Sequence, residues 1–519
     1  MQVKLKEVES WTKNNGLGVN PSKTELVLFT RRYKIPPLIT PRLAQTTLKL
    51  SESAKYLGIV LDRKLSWIQN TEERVRKATV ALYSCRRAIG QKWGLTPKLV
   101  HWIYTVVVRP ILLYGVVVWW PVLEKKVNII KLQKVERTAL ICISGALRTT
   151  PTMAMNTILN IIPIDIMGRQ YAAFAALRLQ GLKSWKVARC GHTTILRNRQ
   201  LPSTKDYCVP RLTFTKGYSV TLTSRESWLE GAPGSRDAIR FYTDGSKLGN
   251  RVGGGVYSEE LGIKRSFRLP DHCSVFQAEL AAIQEAVDSL KLAVIATTEI
   301  YIYSDSQAAL MALDSVTINS ETVANCRKSL NVMAEQFALH LVWVPGHSDI
   351  PGNEKADELA RAGTSSPLSP AWKRVGMPLA SCKLLLRENF LEEAASRWER
   401  TENCNTTKLT WPKWDVRRSR EILTLNKGDM SLAIGLLTGH ILIGRHAERL
   451  GVSHNDYCRS CHDEEEPESI RHLLCDCPAL GRKRQKFLGI GLLDDLSATA
   501  KFGIRQLLRF ADSTNWFKE

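Results

Sequence analysis

Hydrophobic and polar positions follow a readable order through residues 237–363. IRFYTDGS, GGGVYS and KRSFRLP are short strand-forming runs separated by turn residues, a spacing that predicts an antiparallel meander of three strands. SVFQAELAAIQEAVDSLK changes to helical spacing: Ile283, Ala286, Val287 and Leu290 make one apolar face, and Glu279 lies a turn before Ile283 on that side. EIYIYSDSQAAL predicts a strand that ends at Asp305 and runs into a helix. LHLVWVPGH predicts a fifth strand leading to a loop with His347, and NEKADELARAG a final helix carrying Asp357. The fold class expected here is α/β, five strands with flanking helices.

The pattern differs on either side. KTELVLF and YLGIVLD predict strands within residues 1–70, with NPSK as a turn. From Thr71 to about residue 180 the spacing is mostly helical, with Val75, Ala78, Leu82 and Tyr83 recurring on one face. Residues 99–121 are long and apolar enough to suggest a membrane span, but Arg109-Pro110 sits in the middle and a central arginine is costly in lipid. A buried helix-turn-helix or strand is expected there, and no membrane partner. Residues 181–236 are mixed and polar and read as a linker. GTSSPLSP (363–370) reads as a second one, residues 364–450 as a helical connecting region, and 451–519 as a Cys/His motif with a basic tail.

Charge sharpens this division. Lys and Arg outnumber Asp and Glu by 73 to 50, giving +23 over 519 residues. Residues 237–363 alone hold 11 basic and 17 acidic side chains, a net of −6, so the flanks carry +29. A polyanionic partner, nucleic acid before a membrane surface, is expected to meet those flanks. MQVKLKEVES has no apolar core of a secretory signal, and twelve cysteines suit a reducing compartment with thiols or a metal. An intracellular location, nuclear or cytoplasmic, follows as an expectation.

Asp244 and Asp305 are placed at strand ends, Glu279 and Asp357 on helices. An Asp before Gly is ordinarily a turn residue, and a helical Glu is ordinarily solvated. Four acids converging on one strand edge are another matter, because they repel unless divalent cations neutralise them. Oxygen donors of this kind suit Mg²⁺. Two such ions about 3.5–4 Å apart can activate a water and stabilise a leaving oxygen in phosphodiester cleavage.

TDGS, AEL, SDS and GHSDIPGNEKAD, in that order, resemble the ribonuclease H family over residues 237–363. The resemblance implies a five-stranded mixed sheet and catalytic carboxylates at Asp244, Glu279, Asp305 and Asp357, holding two Mg²⁺ ions. It implies a mobile-loop histidine at His347 for proton transfer or product release. Asn353 matches the asparagine of a Gly-Asn pair, Ser246 closes the first motif, and Gln307 resembles a position that contacts the hybrid in its minor groove. The 2′-hydroxyl displayed there distinguishes RNA from DNA. The implied reaction is cleavage of the RNA strand of an RNA–DNA hybrid. One departure stands out: residues 307–339 offer only Arg327 and Lys328 where some members insert a basic helix. Weak hybrid binding by 237–363 alone is therefore expected.

NGLGVNPSKTELVLF and KYLGIVLDRKLSW resemble the last palm segments of non-LTR retrotransposon reverse transcriptases, and residues 92–119 their thumb-like region. No Tyr-x-Asp-Asp motif is found, so no DNA synthesis is expected, and the missing polymerase region is a candidate partner. Arg74, Arg76, Lys77, Arg86, Arg87 and Lys92 are candidate phosphate contacts. Near the C-terminus, Cys458, Cys461, His472 and Cys477 have the types and spacing of one structural Zn²⁺ site, with Cys475 a competing ligand and free thiols the plainer reading. The motif resembles the Cys/His motif that ends non-LTR retrotransposon polyproteins. GRKRQK (481–486) is the nearby candidate for phosphate binding, and His440 and His446 read as structural. The chain is thus expected to be the C-terminal part of such a polyprotein, removing RNA from hybrids in Mg²⁺. The alternative is a catalytically idle nucleic-acid-binding fragment.

Overall fold

The structure is a computed structural model that describes residues 1–34, 37–86, 88, 94–182, 184–185, 191–197, 199–202, 204–228, 231, 233–235, 237–291, 298–452, 456–462 and 465–517. It divides into two compact units, Ala173–Glu388 and a second built from Met1–Ala172 with Asn389–Glu519.

The first unit is organised by one sheet. Its strands are β1 (Ser219–Thr221), β2 (Ile239–Leu248), β3 (Arg251–Ser258), β4 (Ile263–Leu269), β5 (Glu299–Ser304) and β6 (Ala338–Trp343). They lie in the order β4-β3-β2-β5-β6-β1. β2, β3 and β4 form the predicted antiparallel meander, whereas β5 runs parallel to both β2 and β6. Four helices follow: α1 (Val275–Leu290), α2 (Gln307–Asp314), α3 (Glu321–Met333) and α4 (Pro351–Ser365). Ser274 and Gln277 start α1 with a reciprocal capping box, which fixes where the helix begins relative to Glu279. Leu280, Ile283 and Val287 of α1 pack with Phe241, Ile300, Ile302 and Leu341 of the sheet in one core. The glycines of β3 have a packing reason. A Cβ on Gly255 would stand 2.2 Å from the Ala356 carbonyl oxygen, and one on Gly253 2.4 Å from the Thr364 nitrogen, so α4 lies directly on this strand.

Two expectations are corrected here. The sheet has six strands, not five, and the sixth comes from the segment read as a linker. Ser219–Thr221 pairs in parallel with β6, and upstream Asp206 accepts from Ser320 Oγ and the Thr322 N–H at the start of α3. Backbone pairing and a capping carboxylate need no apolar run, so composition alone misread both. GTSSPLSP is likewise bound to the sheet unit: α4 extends to Ser365, and Leu368 bridges Arg268 of β4.

In the second unit YLGIVLD supplies half of a hairpin, Ser53–Tyr56 with Ile59–Asp62. KTELVLF forms only an isolated bridge from Leu26 to Leu50, not the expected strand. Residues 97–124 form two helical arms bent by 53° after the left-handed Gly115, with Tyr104, Val108, Leu112 and Trp119 fully buried. Among the described residues no single helix is long and apolar enough to cross a membrane. Trp398 and Trp411 are buried, and Trp372 and Trp414 half-buried.

One cation loses its expected role, and the others are not excluded from theirs. Arg74 is buried, donates to the Gly58 carbonyl and lies over the Tyr114 ring, so it cannot meet a phosphate. Arg76 and Lys77 are both paired with Glu73. Arg87 and Lys92 lie outside the described residues, as does the Arg86 side chain.

Candidate active site and Cys/His cluster

β2 and β5 run side by side with Thr243 opposite Ser304, so the next residues, Asp244 and Asp305, emerge together from the sheet. Glu279 reaches them because residue 245 is glycine. A Cβ there would stand 2.6 Å from the Glu279 nitrogen, a distance no side chain tolerates. One carboxylate oxygen from each of Asp244, Glu279 and Asp305 falls within a 4.8 Å group. Asp244 and Glu279 are buried, and Glu279 Oε2 has no hydrogen-bond partner.

Such a cluster resists ionisation. Burial first, then the charges of Asp305 and Asp357, push the Asp244 carboxyl up to about 7. Burial with Asp244 and Asp305 drives Glu279 well above the usual carboxylate range. Asp305 is raised by burial and by Asp357, with His347 opposing. Bringing these groups together as anions is costly unless a cation replaces the lost solvation. The oxygen-only donor set and the orphaned Glu279 oxygen therefore fit Mg²⁺.

The fourth carboxylate is placed differently. Asp357 lies on α4, near enough to disturb Asp244 and Asp305 but outside the 4.8 Å group. Its Oδ1 accepts from Arg361 Nε at 2.8 Å, and the same guanidinium also meets its Oδ2. His347 sits exposed in the loop after β6 with φ at 50°. The preceding Gly346 passes so close to the cluster that a Cβ would be 2.8 Å from Asp305 Oδ2. Gln307 is exposed at the start of α2, Ser246 is half-buried on β2, and Asn353 is buried with its Oδ1 unpartnered.

Sequence reasoning missed three contributors. Arg361 had a signal, because it stands four residues after Asp357 on one helical face. Trp343 donates its indole N–H to the Asp305 carbonyl at 3.0 Å, and Trp228 donates to the Trp343 carbonyl at 3.0 Å. Trp228 belongs to the supposed linker, and its ring meets Tyr303 edge-on at 5.3 Å. Nothing in its local sequence marks it.

The second cluster is in the other unit. Ligand atoms of Cys458, Cys461, His472 and Cys477 lie within 4.8 Å of one another. The Cys458 and Cys477 sulfurs are 3.8 Å apart, and Cys461 Sγ is 3.4 Å from His472 Nε2. Cys475 is buried but outside this group. Glu468, also buried, takes a bidentate fork from Arg459 and closes the intervening loop. Burial pushes the Cys477 thiol up to about 12, against the thiolate a metal requires. Three sulfurs and one imidazole at these separations fit tetrahedral Zn²⁺. His440 and His446 form no such group: both rings face Thr149 Oγ1 at 3.2 Å. Within GRKRQK, Arg482 and Lys486 are exposed, whereas Arg484 is buried and cannot serve as the phosphate contact expected of it.

Known proteins resemble the chain in two ways. The RNase H family model matches residues 236–365. A ribonuclease H of Actinobacillus succinogenes is 30% identical over 152 residues, which cover 25% of this chain and 93% of that enzyme. A putative 115 kDa protein in the type-1 retrotransposable element R1DM of Drosophila melanogaster is 25% identical over 32% of this chain. A probable RNA-directed DNA polymerase from transposon BS of the same fly is 25% identical over 39% of it. The chain spans only 16% and 21% of the lengths of these two insect relatives. Through residues 236–365 the chain belongs to the ribonuclease H family, within a sequence consistent with the C-terminal part of a non-LTR retrotransposon polyprotein.

Proposed function

We propose that residues 237–363 form a Mg²⁺-dependent endonuclease that cuts the RNA strand of RNA–DNA hybrids, removing template RNA after reverse transcription. The observation that carries this is buried Glu279, which keeps one oxygen unpartnered and gathers within 4.8 Å of two aspartates, where burial and mutual repulsion outweigh the opposing Arg361 and His347 charges. Asp244, Glu279 and Asp305 would hold the metal ions, with Asp357 completing the set. Two bound Mg²⁺ ions supply activation of the attacking water and charge stabilisation at the leaving 3′-oxygen. Trp343 fixes the Asp305 backbone, and His347, free in its exposed loop, handles a proton nearby. Exposed Gln307 and half-buried Ser246 contact the hybrid, whereas Asn353 is buried beneath the surface.

The domain brings little charge to that grip. Arg327 is buried and donates to the Thr213 carbonyl at 3.1 Å, which leaves Lys328 as the exposed cation of the pair. The basic flanks supply the phosphate contacts, one structural Zn²⁺ orders residues 458–477, and a reverse-transcriptase polymerase region is the natural protein partner. DNA synthesis is not assigned to this chain. A nuclear site of action suits the role.

Asp305→Asn tests the assignment. Cleavage should be abolished while hybrid binding is kept or tightened, because a charge that repels phosphate is removed. Cleavage persisting in that variant would refute the site. A wild-type chain that binds hybrid in a salt-sensitive way and never cuts it would instead be the idle binding fragment.

A further inference from the structure

Arg484 lies in the helix Gly481–Leu488 and is 1% exposed. A buried guanidinium ordinarily needs a carboxylate close by. Among the described residues Arg484 makes no ion pair. Its N–H groups go to three carbonyls instead: Nε to Gly491 at 2.9 Å, Nη1 to Leu473 at 3.3 Å and Nη2 to Cys477 at 2.6 Å. Cys477 is in the group of four metal-ligand types, and Leu473 follows His472 directly. Asp476, the nearby acid, is paired with Arg471. The cation is therefore set against the carbonyls of Cys477 and of the residue after His472, with no ion-pair partner among the described residues.

Charge counting supplies the answer. A divalent ion held by three thiolates and one neutral imidazole carries a net charge of −1, buried with its ligands. We propose that Arg484 is the counter-charge of this metal centre and the clamp that holds the Leu473 and Cys477 carbonyls so that His472 and Cys477 stay in place. The inference rests on the zinc reading of the cluster and extends it to the positioning group. It also explains why one member of a basic run turns inward while its neighbours Arg482 and Lys486 face solvent. Partners outside the ligand set commonly shift metal affinity by about 10- to 100-fold.

The test uses the full chain and Zn²⁺ itself. Zinc content and affinity, by competition with a chromophoric chelator, are compared for the wild type, Arg484→Met, Arg484→Lys and Cys458→Ser. The wild type should hold one zinc at this site, lost in Cys458→Ser. Arg484→Met should bind about 10- to 100-fold more weakly, with Arg484→Lys recovering most of the loss. Melting without zinc should change little in Arg484→Met, the lost buried charge offsetting three carbonyls left without their donor, while the stabilisation added by zinc shrinks. If Arg484→Met fails to fold, Arg484→Gln carries the same comparison, keeping donors and removing charge. Unchanged affinity in the neutral variant, or Lys no better than Met, would overturn the proposal. No zinc at all in the wild type would instead overturn the reading of the cluster.

Discussion

Asp244, Glu279 and Asp305 come from two strands and a helix, positioned by a core that is complete without any metal. Cys458, Cys461, His472 and Cys477 come from twenty consecutive residues joined mainly by a loop, a short bridge from Tyr457 to Pro467 and a single π-helical turn, His472–Asp476. Both groups gather their ligand atoms within 4.8 Å. In the first the scaffold imposes a repulsion that bound cations would relieve. In the second the scaffold is local, an Arg459–Glu468 fork and the Arg484 bonds in place of a sheet, and the metal would supply much of the order. The sheet site should therefore survive metal removal as a fold and lose only chemistry, whereas the Cys/His region should lose structure.

The largest expected effect breaks the first half of that contrast. Glu279→Gln keeps the shape and removes one buried anion, so cleavage should fall by ~10³-fold, given several kcal/mol of metal stabilisation at about 1.4 per decade. The metal-free domain should become more stable, read as a higher melting temperature in EDTA. Asp244 sets the pH window. Its folded carboxyl holds a proton up to about 7, the unfolded one only to 3.8. Metal-free stability should therefore fall as pH rises from about 4 to about 7, and Mg²⁺ should restore it. A Glu279→Gln variant that melts lower than wild type in EDTA at pH 8 would deny the repulsion.

A smaller effect sharpens the other half. Stripping zinc with a chelator selective against Mg²⁺ should speed proteolysis within residues 451–519 and leave the cleavage step in hybrid turnover almost unchanged. Equal loss of both would mean that the two sites are coupled. The smallest effect concerns the scaffold alone. Trp228→Ala should destabilise the sheet unit by about 2 kcal/mol, less than for a fully buried tryptophan because its ring is half-exposed. Urea unfolding followed at the sheet unit would measure it.

What the sequence disclosed follows the same division. The meander, α1 and the positions of the four acids on or beside their strands and helices were legible because each strand or helix has its own period. β1 was not, because Ser219–Thr221 offers a single apolar residue, Val220, and its pairing is made by backbone. The helix that carries Asp357 was legible, but not the pairing of Asp357 with Arg361, which changes how freely it can act. Arg484 was misread outright. A run of cations on a short helix carries no mark of which member faces inward until the packing is known.

The most direct measurement of the central claim is strand-resolved cleavage of a labelled RNA–DNA hybrid by the full chain, in Mg²⁺ and again in EDTA, beside RNA and DNA duplexes. Cutting confined to the RNA strand of the hybrid, ending in a 3′-hydroxyl and abolished by EDTA, is the predicted result. Cutting of either control duplex, or of the hybrid in EDTA, would contradict it.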